Sequence, residues 1–192
     1  MVESGAKLRT EPGTLIAAAP DMLDPNFMHA VVLMLQHTEQ GAYGLVINRP
    51  ASVSVDKLMP DHALLSRAKF PVFAGGPVGL DTLQFVHRAG EEIPGGLDLG
   101  GGLFLGGDLD ALAAYIDARA DATANVRMIV GYSGWGAGQL DLELATGSWI
   151  PATLEPDWLF DADVQGVWRR VLRSLGSETS GLEDLPPRVS WN

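Results

Sequence analysis

The chain has 192 residues, 46% of them hydrophobic and 19% charged, the balance of one globular domain with a sizeable core. It has no cysteine, which excludes a disulfide framework, a thiolate nucleophile and cysteine-ligated zinc or iron–sulfur centres. A net charge of −11 sets the averaged field against phosphate backbones and anionic membrane surfaces.

Residues 1–12 are polar and read as a flexible N-terminus without a signal-peptide stretch, and no later apolar run is long enough to span a membrane, so a cytoplasmic location is expected. The first strand is expected at 14–19, stopped by Pro20, and a turn-rich segment then leads to a second strand at 30–36. A turn over 39–42 makes a hairpin into a third at 43–48. Continuous apolar runs such as Val31-Val32-Leu33-Met34-Leu35 suit strands covered on both faces, so helices must pack on the sheet. Short helices are expected near 55–59 and 62–68, then strands at 71–74 and 81–87. A glycine-rich connection ends in a short strand at 103–105. Asp108 is a natural N-cap for a helix to about 120, with Leu109, Leu112, Ala113 and Ile116 on one face. Residues 127–130 read as a core strand, 139–145 as a helix, 149–154 as extended and 163–175 as a helix with Val164, Val167, Trp168, Val171, Leu172 and Leu175 on one stripe. Residues 176–192 read as a C-terminal tail. Irregularly interspersed helices and hairpins give an α+β fold: a single domain over 13–175 with a mixed β-sheet and helices packed against it.

Few constellations carry chemistry. Gly131-Tyr132-Ser133-Gly134-Trp135 reads as a turn after a buried strand, with its serine placed like a nucleophile, but bulky Trp135 stands where a nucleophile elbow needs glycine. His29, His37, His62 and His87 all precede Ser133, so a triad in the usual order is absent, and a serine hydrolase using Ser133 needs another chain order. Gly75-Gly76-Pro77-Val78-Gly79 offers backbone N–H groups but no P-loop lysine. Asp21, Asp24 and His29, like His37 and Glu39, match no metal-ligand spacing, so no metal or cofactor is expected. Arg169, Arg170 and Arg173 are the one concentrated basic cluster, a weak footprint for direct DNA binding.

The segments Gly13-Thr14-Leu15, Asp24-Pro25-Asn26-Phe27, Gly41-Ala42-Tyr43-Gly44-Leu45-Val46-Ile47-Asn48-Arg49-Pro50, Gly75-Gly76-Pro77-Val78 and Gly131-Tyr132-Ser133-Gly134-Trp135, followed by Gln139-Leu140, Glu143 and Gly147-Ser148-Trp149, together resemble the AlgH/YqgE family of bacterial proteins. The resemblance runs from about Gly13 to Leu175 and departs at Ala137, where the family usually has proline. It implies a compact cytosolic domain with a mixed sheet, of a kind often labelled a transcriptional regulator, and it brings no reaction, cofactor or catalytic residue with it.

The expected function is therefore a domain, without an established catalytic motif and leaning to a non-enzymatic role, that binds an unknown small ligand or protein partner, with any effect on transcription indirect. The candidate ligand-binding groups are Asn48 and Arg49, the Gly75 and Gly76 amides, and Ser133, Trp135 and Gln139, if their turns converge on one crevice. A hydrolase using Ser133 and a direct DNA-binding regulator are the alternatives; direct nucleic-acid binding and membrane association run against the charge. Trp149, Trp158 and Trp191 are candidates for an interface, although core packing is the commoner role of tryptophan, and the sequence assigns no oligomeric state.

Overall fold

The computed structural model describes residues 10–176. Its strands are β1 (Leu15–Ala18), β2 (Val31–Thr38), β3 (Gly41–Val46), β4 (Pro50–Ser54), β5 (Pro71–Ala74), β6 (Val78–His87), β7 (Leu97–Gly100), β8 (Leu103–Leu105), β9 (Val126–Gly136) and β10 (Trp149–Ala152). The helices are α1 (Val55–Leu58), α2 (Leu109–Ala118), α3 (Gln139–Ala145), α4 (Pro156–Phe160) and α5 (Val167–Ser174). One sheet runs in the order β10-β1-β2-β3-β9-β6-β8-β7, with β5 also on β9 and β4 on β5. Only the β5–β9 pairing is parallel among the described strands, so the sheet is mixed and the domain is α+β.

Both faces of the first strands are covered, as their unbroken apolar runs require. Leu15, Ala17, Leu33 and Leu45 pack with Leu159 of α4 and with Val167, Trp168, Val171 and Leu172 of α5. Ile16, Ala18, Val32 and Val46 face the other way, onto Trp135, Trp149 and Leu140 and Leu144 of α3. A third cluster joins Val72, Phe85 and Met128 to Leu112, Ala113, Tyr115 and Ile116 of α2. The Asp108 carboxylate caps α2 by accepting from Ala111 N at 2.8 Å, and the Trp168 indole ties α5 to Ala18 O at 2.8 Å. Arg127, 5% exposed, donates to Leu159 O at the end of α4 and lies 3.8 Å from the Phe73 ring centroid. Burial pushes its guanidinium down to about 10, opposed by Asp161, so it stays charged at neutral pH.

β9 is the spine of the sheet. Residues 126–130 pair with β5 and β6, and residues 133–136 pair with β3. Gly131, at φ +71°, separates the two halves; a Cβ there would sit 2.8 Å from Gly76 O. This left-handed residue breaks the alternation of side chains, so Ile129 and Tyr132 share one face while Val130 packs on the other.

The main differences from the sequence reading follow from local chemistry. The expected turn around Ser133 is instead the second half of β9. Residues 50–54 and 97–100 form strands whose residues are mostly exposed or half-buried, so they lack an apolar signal. The expected helix at 62–68 shrinks to a single 3-10 turn, Leu65–Arg67, with the His62 imidazole accepting from Leu64 N and Leu65 N. The final helix starts at Val167 rather than 163, because the Asp163 carboxylate turns the chain by accepting from Gly166 N at 3.1 Å. α4, with Pro156 in its first turn, was not expected at all. Strand ends elsewhere move by two or three residues. Of the expected termini, 1–9 and 177–192, including Trp191, lie outside the described residues.

Candidate functional site

The residues expected to present polar groups fall into two units, Asn48, Arg49, Gly75, Gly76 and Ser133 in one and Trp135 and Gln139 in the other, and their groups are engaged inside the protein. The Asn48 carboxamide accepts from Val31 N and donates to His29 O, both at 2.9 Å, which fixes the entry to β2. It also holds His29 at φ +55°, against the Trp168 ring at 4.3 Å. Arg49 donates to Asn26 O and to Met28 O. Gly75 N donates to Val130 O at 2.8 Å, and Gly75 O accepts from Val46 N at 2.9 Å. Ser133 is 0% exposed and its hydroxyl donates to the same Gly75 oxygen at 3.0 Å, where a nucleophile would engage a histidine. Gly76 packs on the Ser133 hydroxyl and the Tyr132 carbonyl so closely that a Cβ would come within 2.4 Å of either. These residues seal the junction of β3, β5 and β9.

Trp135 and Gln139 belong to a second unit, around Glu143 on α3. One Glu143 oxygen accepts from the Trp135 indole at 2.9 Å and the Trp149 indole at 2.8 Å; the other accepts from Gln139 Nε2 at 2.9 Å. Gln139 Oε1 in turn accepts from Gly136 N at 3.0 Å. Phe27 lies 5.4 Å from Trp149 and 6.2 Å from Trp135. The motif blocks spread through 131–149 thus meet in one packed carboxylate–indole knot. Trp149 is 1% exposed and serves as core. In the basic cluster, Arg170 pairs with Asp161 at 2.8 Å and with Asp163 at 3.1 Å. Among the described residues no group of three or more histidines and carboxylates is placed to hold a metal ion, and no helix is long and apolar enough to cross a membrane.

Among the described residues, a concave feature that the sequence did not disclose is a cleft of about 570 Å³ between the two ends of the sheet path. Residues 10–14 form one wall, Leu99 to Gly101 at the end of β7 a second, and residues 151–154 of β10 and beyond a third, with Leu144, Pro156 and Leu175 closing it. Gly13 is where the walls meet: its φ is +86° and a Cβ would lie 2.2 Å from Leu99 O. Beside the cleft, Thr10 is anchored through the His37 imidazole, whose Nδ1 accepts from Thr10 N at 3.1 Å while its Nε2 faces Asp141 Oδ2 at 3.4 Å. Because a backbone N–H occupies Nδ1, the proton of the neutral ring belongs on Nε2.

The fold and this arrangement define a single α+β domain whose glycine- and tryptophan-bearing segments build its interior. A family model described as AlgH-like matches residues 15–180, and the chain belongs to that family. It is 38% identical over 178 residues to a UPF0301 protein of Chlorobium limicola, covering 93% of this chain and 92% of the relative. It is 36% identical over 186 residues to one of Streptomyces avermitilis, covering 94% of each. The solution structure of AlgH from Pseudomonas aeruginosa superposes with a TM-score of 0.68 at 29% identity, covering 98% of this chain and 100% of that one.

Proposed function

We propose that this protein is a binding domain whose ligand is a small, largely apolar molecule held in the cleft between β7 and β10, and that any influence on transcription is exerted through that ligand. The cleft carries this reading: about 570 Å³ lies within the range of small-molecule sites, which are concave and mostly apolar with a few polar groups. Its walls supply Leu99, Leu144, Pro151, Ala152, Leu154, Pro156 and Leu175, with Thr10, Thr14, Thr153 and the one charged residue, Glu11, as polar points.

An added peptide strand fits this place less well. Ala19 N donates to Ser148 O, so by the alternation of an antiparallel ladder Ile16 and Pro151, which face each other, form a non-hydrogen-bonded pair. The position where Pro151 lacks an N–H therefore faces the open edge of β10 and blunts it against strand addition. Direct nucleic-acid binding is disfavoured by the net charge of −11 and by the pairing of Arg170 with two carboxylates.

The test is thermal melting with straight-chain alcohols of eight to twelve carbons, run alongside Thr153→Trp, which places an indole at an exposed cleft wall. A ligand at about a hundred times its Kd adds roughly 2.7 kcal/mol, or about 5 to 10 degrees for a domain of this size. The expected result is such a shift in the natural protein and its loss in Thr153→Trp, whose own melting point stays close to the parent's. No shift with any alcohol, or an equal shift in the variant, overturns the reading.

A further inference from the structure

Gly134 has no structural need to be glycine. It lies within β9, opposite Tyr43 of β3, and is not among the residues with positive φ. A Cβ there would meet only the edge of the Tyr132 ring, at 3.6 Å, an ordinary contact. The contrast with Gly44, one register step away, is sharp: a Cβ at Gly44 would lie 2.7 Å from Val32 and 2.9 Å from Leu33 O. A glycine inside a strand weakens it, and glycines stand within strands at bulges, at tight bends and where a ligand or another backbone approaches closely.

The surroundings of Gly134 point the same way. The rings of Tyr43 and Tyr132, each partly buried, stand 5.0 Å apart on its face of the sheet. The Tyr43 hydroxyl donates to Gln84 Oε1, and Gln84 Nε2, buried behind it, has no acceptor. A buried amide donor without a partner is unfavourable, and an incoming acceptor would relieve it. Burial raises the Tyr43 hydroxyl above its ordinary pKa, against the Gln84 hydrogen bond, which lowers it, and with a smaller push from Tyr132, so this hydroxyl stays a protonated donor.

We propose that the shelf over Gly134, between Tyr43, Tyr132 and Gln84, is a binding site for a flat, uncharged heterocycle carrying a carbonyl oxygen. The ring lies on the bare backbone of β9 against the tyrosine edges. Its oxygen provides the acceptor that Gln84 Nε2 lacks, after a rotation of that side chain and its tyrosine neighbour. The ligand is uncharged because a chain of net charge −11 repels a phosphorylated one. This site is separate from the β7–β10 cleft and does not depend on it.

The experiment follows the Gln84 side-chain amide by two-dimensional nitrogen–proton NMR while inosine or adenosine is added, a purine pair of which inosine alone has a ring carbonyl. Inosine should move the Gln84 resonance saturably and bind at least tenfold more tightly than adenosine. Gly134→Val should abolish binding without lowering the melting temperature, with Gly134→Ala as the milder variant should valine disturb the strand. Gln84→Leu should remove the preference for inosine. Thr153→Trp should leave the titration unchanged. Absence of a saturable shift, equal affinity for the two nucleosides, or full binding by both Gly134 variants overturns the proposal.

Discussion

At the scale of single residues, His87 has the most consequential environment. It is 0% exposed, between Phe85 and Phe104. Its Nε2 lies 2.9 Å from Gly106 O and its Nδ1 accepts from Ala89 N at 3.2 Å. One nitrogen donates and the other accepts, which suits the neutral ring. Burial holds the imidazole below the ordinary histidine range, against the Gly106 hydrogen bond, which raises it. The unfolded chain therefore takes up a proton that the folded chain resists. Stability from this group is complete above about pH 6.5, the unperturbed value, and declines as pH falls below it. Urea midpoints should drop between pH 7.5 and pH 5, and His87→Gln should be less stable at pH 7.5 but lose less on acidification; an equal pH dependence in both proteins would refute this. Ser133, Asn48 and Gln139 stood out in the sequence because their residue types can do chemistry. The partners of Ser133 and Asn48, Gly75 O and Val31 N, are backbone atoms far along the chain that composition cannot reveal, whereas Glu143 is one helical turn from Gln139 and only the folded chain brings the Trp135 and Trp149 indoles onto it.

At the scale of elements, legibility followed locality. α2 could be read directly, since its cap at Asp108 and its apolar spacing are all within one short stretch. β2 was equally plain from its apolar run. β9 was cut short because Gly131, Gly134 and Gly136 look like a turn; Gly131 does adopt a left-handed φ of +71°, while Gly134 and Gly136 are kept in the strand by pairing with β3, where Tyr43 faces Gly134 and Gly44 faces Ser133. That pairing depends on the close approach at Gly44. Gly44→Ala should therefore destabilise by about 1–3 kcal/mol, the cost of overpacking a filled core, as read from urea denaturation. A change below about 0.5 kcal/mol would show that β3 can shift to make room. β4, β7 and α4 went unread because they are short and carry few buried residues.

At the scale of the whole molecule, the three apolar clusters share one sheet, and β9 contributes Ile129, Met128 and Trp135 to them in turn. Loss of any one cluster exposes strands that the others need, so unfolding should be a single cooperative transition. Indole signals from Trp135 and Trp149 in one cluster and Trp168 in another should be lost at the same urea concentration as the far-ultraviolet circular dichroism. Two separated transitions would mean that the clusters fold independently. The same architecture creates the cleft, whose walls come from residues 10–14, 99–101, 144, 151–154, 156 and 175. No window of sequence contains them together.

The α+β class, the order of most core elements, the family and the exclusion of thiol chemistry were legible from residue order alone, because apolar periodicity, capping residues and composition act locally or as sums over the chain. It took the folded chain to bury Ser133 against Gly75, to bring Trp135, Trp149 and Gln139 onto Glu143, to leave Gly134 open beside the Gln84 amide, and to set the ends of the sheet path around a cleft. Those features depend on which strands become neighbours. The energy that selects the neighbours is spread over close approaches such as Gly13 on Leu99 and Gly44 on Leu33, between residues far apart in the chain.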